Sequence, residues 1–150
     1  MKIVIDWNEY IQWCKKAANY IRETIKNYDY VYGIPRGGLI PATIMSYQLN
    51  IPILTTEGDL LGAIHADHKR VVIVDDILDS GKTFDKLWNK IEVNKSLDTS
   101  NIFGMFMLNK DKAILKCEYA SIKTCPDIWI EFPYETGATD DTISIVKPPE

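Results

Sequence analysis

Two adjacent carboxylates, followed by a turn that contains glycine and hydroxyl groups, are the residues of this sequence best suited to chemistry. Asp75 and Asp76 follow the apolar residues 71–74, and residues 79–83 then lead into a helix pattern. Carboxylates suit sugar hydroxyls or a hydrated Mg²⁺, whereas turn amides, hydroxyls and the positive end of a helix suit a phosphate. The segment is therefore predicted to hold a sugar phosphate from both ends. Its predicted phosphate-binding residues are Asp79, Ser80, Gly81, Lys82 and Thr83.

A second candidate site follows the β-rich residues 28–34, where the sequence continues Pro-Arg-Gly-Gly. Glycines let backbone amides approach a pyrophosphate closely, and the guanidinium of Arg36 offers a fork of donors for phosphate oxygens. Arg-Gly-Gly turns are common, so this one alone would indicate only a turn. Because it lies before a helix pattern and ahead of the acidic pair, Arg36, Gly37 and Gly38 are predicted to bind the same ligand.

Two other folds share parts of the acidic segment. Residues 81–83 read Gly-Lys-Thr, as in a Walker P-loop, but that motif requires glycine at position 76, where Asp76 stands. A receiver domain carries its acidic pair on the first strand, whereas two strand patterns precede Asp75 here. The sequence therefore excludes the P-loop and disfavours the receiver domain.

Residues 71–83 resemble the phosphoribosyl-pyrophosphate signature of the type I phosphoribosyltransferases. That signature is an apolar strand, two acids, two apolar residues, and then Asp, Ser or Thr, Gly and Thr, and the match is unbroken. The Arg36-Gly37-Gly38 loop is similar to the pyrophosphate loop of the bacterial xanthine-guanine branch, which usually has another residue in place of Pro35. The resemblance implies that Asp75 and Asp76 bind the ribose hydroxyls and Mg²⁺.

The same resemblance extends to a purine-binding hood, mainly residues 110–137. Lys110 and Trp129 match the positions where a lysine meets the O6 oxygen of the base and an aromatic ring stacks on it. Ile130 and Glu135 match positions whose backbone contacts the base edge. A π-face suits a purine, and a lysine favours a 6-oxo over a 6-amino group. Without the resemblance, a core Trp129 and a solvated Lys110 would be the ordinary interpretation.

The activity implied by the resemblance is a Mg²⁺-dependent transfer of the 5-phosphoribosyl group from phosphoribosyl pyrophosphate (PRPP). The acceptor is a 6-oxopurine (guanine, xanthine or hypoxanthine), and the products are the nucleotide and pyrophosphate. Asp79 is expected to assist removal of the proton of the base. The resemblance also implies a homodimer or homotetramer. Two alternatives remain open: a non-catalytic or regulatory nucleotide- or PRPP-binding protein on the same fold, and a transferase for another base.

Residues 57–70 depart from the pattern of catalytic relatives, in which this connection is a longer flexible lid. They show no clear periodicity, which predicts a loop and a short lid. A lid excludes water from a reactive ribosyl cation, so shortening it weakens the case for full catalysis. His65 and His68 in this segment are interpreted as incidental residues of a solvated loop, since no further ligand is near in sequence.

The elements that must position these residues alternate between helix and strand along the chain. Asp6 and Glu9 form a capping-box pattern that predicts an opening helix to about Asn27. The remaining predictions are strands at 28–34, 51–55, 71–74, 102–108 and 119–124, with helices at 39–50 and about 83–93. This order predicts a single α/β domain, residues 1–150, with a mainly parallel central sheet flanked by helices and a small hood.

Composition fits a soluble globular domain that handles a small molecule. The 150 residues are 46% hydrophobic and 25% charged, with a net charge of −4. That balance gives no overall basic field, so a nucleic-acid partner is not expected. The amino terminus lacks a signal-peptide pattern and no run approaches the length of a membrane span, so we expect a cytoplasmic protein without membrane contact. The three cysteines form no C-x-x-C pair.

Overall fold

The computed structural model describes residues 2–78, 82–92, 101–110, 117–124 and 129–135. Its strands are β1 (Lys2–Val4), β2 (Tyr30–Gly33), β3 (Ile53–Leu54), β4 (Val71–Leu78), β5 (Ile102–Lys110), β6 (Cys117–Thr124) and β7 (Trp129–Glu131). Its helices are α1 (Trp7–Tyr20), α2 (Leu39–Leu49), α3 (Glu57–His65) and α4 (Lys82–Ile91). A π-helical turn, Ile21–Ile25, continues α1, and a 3₁₀ turn, Pro133–Glu135, follows β7.

Five strands form a central sheet in the order β3-β2-β4-β5-β6, and every neighbouring pair is parallel. Strand β4 lies in the middle, and its first four residues, Val71 to Val74, are buried on both faces. Val72 and Val74 pack into one core with α1 and α2, while Val71 and Ile73 pack into a second core with α3 and α4. Helices therefore cover both faces, and the predicted α/β fold with a parallel sheet is confirmed.

Helix α1 begins where the capping pattern placed it. The Asp6 side chain accepts a hydrogen bond of 2.8 Å from the Glu9 amide, and the helix buries Tyr10 and Cys14 against the sheet. Burial raises the pKa of the Cys14 thiol to about 12, so this cysteine stays a neutral core residue. The helical region predicted to reach about Asn27 is confirmed, with the change that its last turn is π-helical.

The predicted loop at residues 57–70 is wrong for its first nine residues, which form α3. Thr56 caps this helix by accepting a hydrogen bond of 3.0 Å from the Asp59 amide. Leu60, Ala63 and Ile64 are spaced to share one face, and all three are buried in the core beside α4. In so short a helix three buried positions give little periodicity, which is why the sequence pattern did not indicate it.

Helix α3 is also fastened to α4 by polar contacts. Lys90 Nζ lies 2.7 Å from Glu57 Oε1, and His65 Nε2 lies 2.8 Å from the carbonyl oxygen of Ile91. His65 is thus a packing residue rather than part of a solvated loop. Across the described ranges no group of three or more His, Cys, Asp or Glu side chains is placed to hold a metal by itself.

Strands β1 and β7 form a separate two-stranded parallel sheet, in which Lys2 is opposite Trp129. No pattern in the sequence predicts β1, whose three residues are all exposed. Strand β6, which falls inside the range expected to form the hood, is an edge strand of the central sheet. None of the helices in the described parts of the chain is long and apolar enough to cross a bilayer.

A substitution in α3 tests whether this segment is a packed helix or a lid. Leu60 is fully buried, so Leu60→Ala should lower the free energy of unfolding by about 2–5 kcal/mol. Leu61→Ala in the same helix is the matched control and should cost less, because Leu61 is only half-buried. Equilibrium urea unfolding measures both values. Equal losses at the two positions would contradict the packing described here.

Candidate active site

The candidate site lies where β2 ends beside the middle of β4. Gly33, the last residue of β2, is opposite Val74, whereas β4 continues to Leu78. Asp75 and Asp76 therefore extend past the end of β2. They were predicted to follow the strand, but they lie within it, because β5 continues the ladder and Asp75 pairs with Phe106.

The loop after β2 packs directly against these acids. The Ile34 amide donates to the carbonyl oxygen of Val74 over 2.9 Å, which draws the loop onto β4. A Cβ atom at residue 37 would overlap the carboxylate of Asp76, and one at residue 38 would overlap the Val74 carbonyl. Glycine is required at both positions because the backbone approaches so closely. The structure thus brings Gly37, Gly38 and Asp76 together.

Arg36 lies between these glycines and the end of β2. Its side chain is exposed, and the peptide bond that joins it to Pro35 is cis. An exposed guanidinium beside backbone that touches Asp76 remains available to an anion that approaches from solvent.

The two acids are almost completely buried, with 5% of Asp75 and 2% of Asp76 exposed. Neighbouring residues of a strand face opposite sides of the sheet, so Asp76 continues the row of Val72 and Val74 while Asp75 continues the other row. The Asp75 carboxylate accepts a hydrogen bond of 2.8 Å from the Asp76 amide. Burial, reinforced by the Asp76 charge, raises the pKa of Asp75 well above its usual range.

Tyr134 is a residue of this site that the sequence analysis missed. Its hydroxyl donates a hydrogen bond of 2.9 Å to Oδ2 of Asp76. Its ring stacks on Phe132, with centroids 5.5 Å apart and planes 7° apart, and meets Tyr10 edge-on at 5.8 Å. Burial raises the pKa of Tyr134, as do Tyr10 and Asp76, so the phenol stays protonated and keeps donating. Its only signal in the sequence was its place among other aromatics in residues 129–134.

The remaining base-binding predictions fall on β7 and the turn after it. Ile130 is buried in the core, which leaves only its backbone for a ligand. Glu135 Oε1 accepts a hydrogen bond of 3.3 Å from the Phe132 amide, and burial raises the pKa of the Glu135 carboxyl. Lys110 is the last residue of β5, and Lys82 is the first of α4. Asp79, Ser80 and Gly81 lie outside the described residues.

Two polar groups of the predicted site are buried and, within the described residues, have no hydrogen-bond partner. They are the Thr83 hydroxyl and the Trp129 indole N–H. Thr83 lies in the first turn of α4, where the helix dipole favours an anion. The unpaired Thr83 hydroxyl could donate a hydrogen bond to a phosphate oxygen, and the unpaired Trp129 indole N–H could donate to an acceptor atom of a ligand.

Asp75 and Asp76 are also candidate ligands for a Mg²⁺ ion. Mg²⁺ is commonly held by one or two carboxylates together with waters and substrate phosphates, rather than by a cage made only of protein. Asp75 and Asp76 supply two carboxylates, and in the described parts of the chain no third ligand joins them. Because neighbouring residues of a strand face opposite sides of the sheet, either carboxylate would hold an ion only together with ligands from a bound substrate.

Solved structures with the same fold include purine phosphoribosyltransferases. A purine phosphoribosyltransferase from Pyrococcus horikoshii Ot3 has a TM-score of 0.70 and 26% identity, over 93% of this chain and 98% of that one. A xanthine-guanine-hypoxanthine phosphoribosyltransferase from Helicobacter pylori has a TM-score of 0.72 and 14% identity, over 92% and 95%. The fold of this chain is thus that of the type I phosphoribosyltransferases.

A third structure of the same fold contains a bound ligand. A hypothetical protein from Neisseria gonorrhoeae, solved with bound ppGpp, has a TM-score of 0.73 and 21% identity, over 91% of this chain and 90% of that chain. No family model matches the sequence. The shared fold therefore occurs both in transferases and in a structure that holds a guanosine nucleotide.

Removing one hydroxyl tests the contact between Tyr134 and Asp76. Tyr134→Phe keeps the ring but deprives a buried carboxylate of a donor, so the free energy of unfolding should fall by about 1–3 kcal/mol. Tyr47→Phe is the control, because Tyr47 is 83% exposed and should change stability by less than about 0.5 kcal/mol. Urea unfolding near pH 7 compares the two. An unchanged stability in Tyr134→Phe would mean that the hydrogen bond is absent in solution.

The raised pKa of Asp75 predicts a pH dependence of stability. The folded state keeps the Asp75 proton above pH ~4, where the unfolded chain has lost it. This group therefore stabilises the fold most at low pH, and its contribution is lost as pH rises through the folded pKa. Asp75→Asn cannot ionise, so its stability should fall less than that of the wild type between about pH 4 and 8. Denaturant unfolding at several pH values gives both curves, and parallel curves would refute the shift.

Proposed function

We propose that this protein is a Mg²⁺-dependent phosphoribosyltransferase that transfers the 5-phosphoribosyl group of PRPP to a 6-oxopurine base. The observation that carries the proposal is the contact between the Gly37 backbone and Asp76 at the carboxyl edge of a parallel sheet. Ligands of open α/β sheets bind at this edge. The shared fold with purine phosphoribosyltransferases supports the same reading.

Each part of the donor has a group suited to it. The 5′-phosphate lies on residues 79–83, where the buried Thr83 hydroxyl and the start of α4 favour an anion. The pyrophosphate lies near Arg36 and the amides of Gly37 and Gly38. Asp75 and Asp76 would hold a Mg²⁺ ion, whose charge would offset that of the leaving pyrophosphate.

Asp76 has to be uncovered before it can bind a ribose hydroxyl. With 2% of the residue exposed, a ligand hydroxyl reaches the carboxylate by displacing groups that cover it, and the described ones are the Tyr134 hydroxyl and the loop at Gly37. The exchange replaces one hydroxyl donor by another, so its net cost is small. Tyr134 thus marks the position that a sugar hydroxyl would take.

The base is placed on the segment that carries Tyr134. Trp129 stacks on the purine, Lys110 meets its 6-oxo group, and the backbone of Ile130 and Glu135 contacts its edge. In the reaction the bond from C1 of the ribose to pyrophosphate breaks and a bond from C1 to a base nitrogen forms. The nearby carboxylates favour the positive charge on the sugar, and Asp79 accepts the proton released by the base. We further propose a cytoplasmic homodimer or homotetramer.

A second function is favoured by one observation, the ppGpp bound to the Neisseria gonorrhoeae structure of the same fold. A regulatory protein that binds a nucleotide or PRPP needs the phosphate-binding loops but not turnover. The absence of a lid at residues 57–65, which form a packed helix, is compatible with such a role. A transferase for a different base is the remaining alternative.

A single assay separates these functions. Protein, Mg²⁺ and PRPP are mixed with guanine, xanthine, hypoxanthine, adenine and uracil in turn, and release of pyrophosphate is followed. We expect release that depends on a 6-oxopurine and that falls by about 10²–10⁴-fold in Asp79→Asn, with donor affinity retained. Asp67→Asn is the control, since Asp67 is an exposed acid next to α3.

Other results would point elsewhere. Binding heat with PRPP or ppGpp but no product with any base would identify a regulatory binding protein. Release with adenine or uracil alone would identify another base as the substrate. Equal turnover in Asp79→Asn and Asp67→Asn would remove Asp79 from the chemistry while leaving the transferase function in place.

A further inference from the structure

A cleft of about 330 Å³ opens at the edge of the sheet opposite to the candidate active site. Its walls come from the π-helical turn after α1, from residues that precede β2, and from the end of α2 with the segment that follows it. Because the strands are parallel, the residues before β2 and β3 lie at the amino edge, whereas Asp75 and Asp76 lie at the carboxyl edge. The lining includes the apolar Ile21, Leu49 and Ile51 and the polar Arg22, Lys26 and Asn27.

The charges on this cleft all have one sign. Arg22 and Lys26 are cationic, and none of the described residues that line the cleft is acidic. Arg22 donates to the carbonyl oxygen of Gln48 over 2.6 Å and to Oδ1 of Asn19, which fixes its side chain across the gap between the π-helical turn and α2. These hydrogen bonds use two of the five N–H groups of the Arg22 guanidinium, so the remaining N–H groups can donate to a ligand.

The backbone beside the cleft is strained. Lys26 has φ 59° and ψ 156°, a region that is essentially restricted to glycine, and Asn27 follows with φ 61°. Arg70 holds this conformation, because its Nη1 donates to the carbonyl oxygens of Lys26 and Asn27 over 2.9 and 3.3 Å. The guanidinium of Arg70 also lies 4.4 Å from the centre of the Tyr28 ring.

Such strain is kept at functional sites when the surrounding structure enforces it. The residue held in this conformation, Lys26, lines the same cavity as Arg22, whose side chain is fixed by its two hydrogen bonds. A lysine in a backbone conformation typical of glycine costs stability. The two hydrogen bonds of Arg70 and its contact with the Tyr28 ring nevertheless keep Lys26 in that conformation. The arrangement therefore has the character of a binding site and not of a simple helix end.

We propose that this cleft binds a small organic phosphate, an anion that carries a phosphate group on an apolar or planar body. Two cations suit a dianion, with Arg22 as a fork and Lys26 as a point charge. Ile21, Leu49 and Ile51 contact the body of the ligand, and the Asn27 amide is available to its polar atoms. The volume lies within the range of small-molecule pockets, about 300–1,000 Å³. The site uses no residue of the proposed transferase.

Phenyl phosphate is the probe, followed by ¹⁵N–¹H NMR on the whole chain. We expect saturable shifts of the amides of residues 21–28 and 49–51. Inorganic phosphate, which lacks the apolar body, and benzoate, which lacks the second negative charge, should bind several-fold more weakly at these amides. Shifts at residues 33–38 and 75–78 report the candidate active site separately, so the two proposals succeed or fail independently.

Paired charge removals locate the binding. Arg22→Gln with Lys26→Gln removes both cations and should weaken phenyl phosphate about tenfold or more at residues 21–28. Lys15→Gln with Lys16→Gln is the matched control, because it removes two exposed lysines from α1 and should leave the affinity unchanged. The absence of saturable shifts at residues 21–28 in the wild type at millimolar probe would overturn the proposal. Equal affinity in the two double variants would overturn it as well.

Lys26→Gly gives a test that does not depend on the folding of the double variant. Glycine adopts the conformation of residue 26 without strain, so the melting temperature should rise or stay the same. Loss of the cation should at the same time weaken phenyl phosphate several-fold. If Lys26 served only to end the helix, Lys26→Gly would keep or raise the melting temperature without weakening phenyl phosphate. Undiminished affinity for phenyl phosphate in Lys26→Gly would therefore refute the proposal.

Discussion

The carboxylate of Asp76 is the group on which the arrangement of this protein's candidate site depends. It is buried beneath the backbone of Gly37 and accepts the hydroxyl of Tyr134. A carboxylate withdrawn from water is tolerated only when it is hydrogen-bonded, because its lost hydration is otherwise uncompensated. The loop after β2, the middle of β4 and the turn after β7 therefore have to stay together. One side chain connects three segments that are distant in the sequence.

The neighbouring carboxylate of Asp75, when ionised, destabilises the fold. Its burial beside Asp76 raises its pKa, so the folded state gains a proton or is destabilised by charge. The protein can carry that cost because the four residues before the acids, Val71 to Val74, are fully buried between two cores and anchor the strand. Strained acidic pairs on a stable strand are typical of binding sites, where a cation or a donor from the ligand relieves them.

Much of this could be predicted from the sequence because the signals were local. The Asp6 cap, the apolar run of β4 and the glycines beside Arg36 each determine their own few residues, and the alternation of elements then determines the parallel sheet. Features that depend on distant partners could not be predicted. Strand β1 forms only because Trp129 lies opposite Lys2, and Tyr134 meets an acid 58 residues away. Helix α3 was missed because its buried face has only three residues.

The packing of α3 changes how the proposed transferase would exclude water. A lid at this position would have to swing away, yet α3 is fastened to α4 by an ion pair, a histidine hydrogen bond and a shared core. Asp76 is instead already shielded by Gly37 and Tyr134. The Gly37 loop and Tyr134 must therefore move away from Asp76 when a ligand enters, and close again around the ligand. A hydrogen bond to a charged group contributes about 1.5–3 kcal/mol, which is strong enough to hold the cover and weak enough for a ligand hydroxyl to replace.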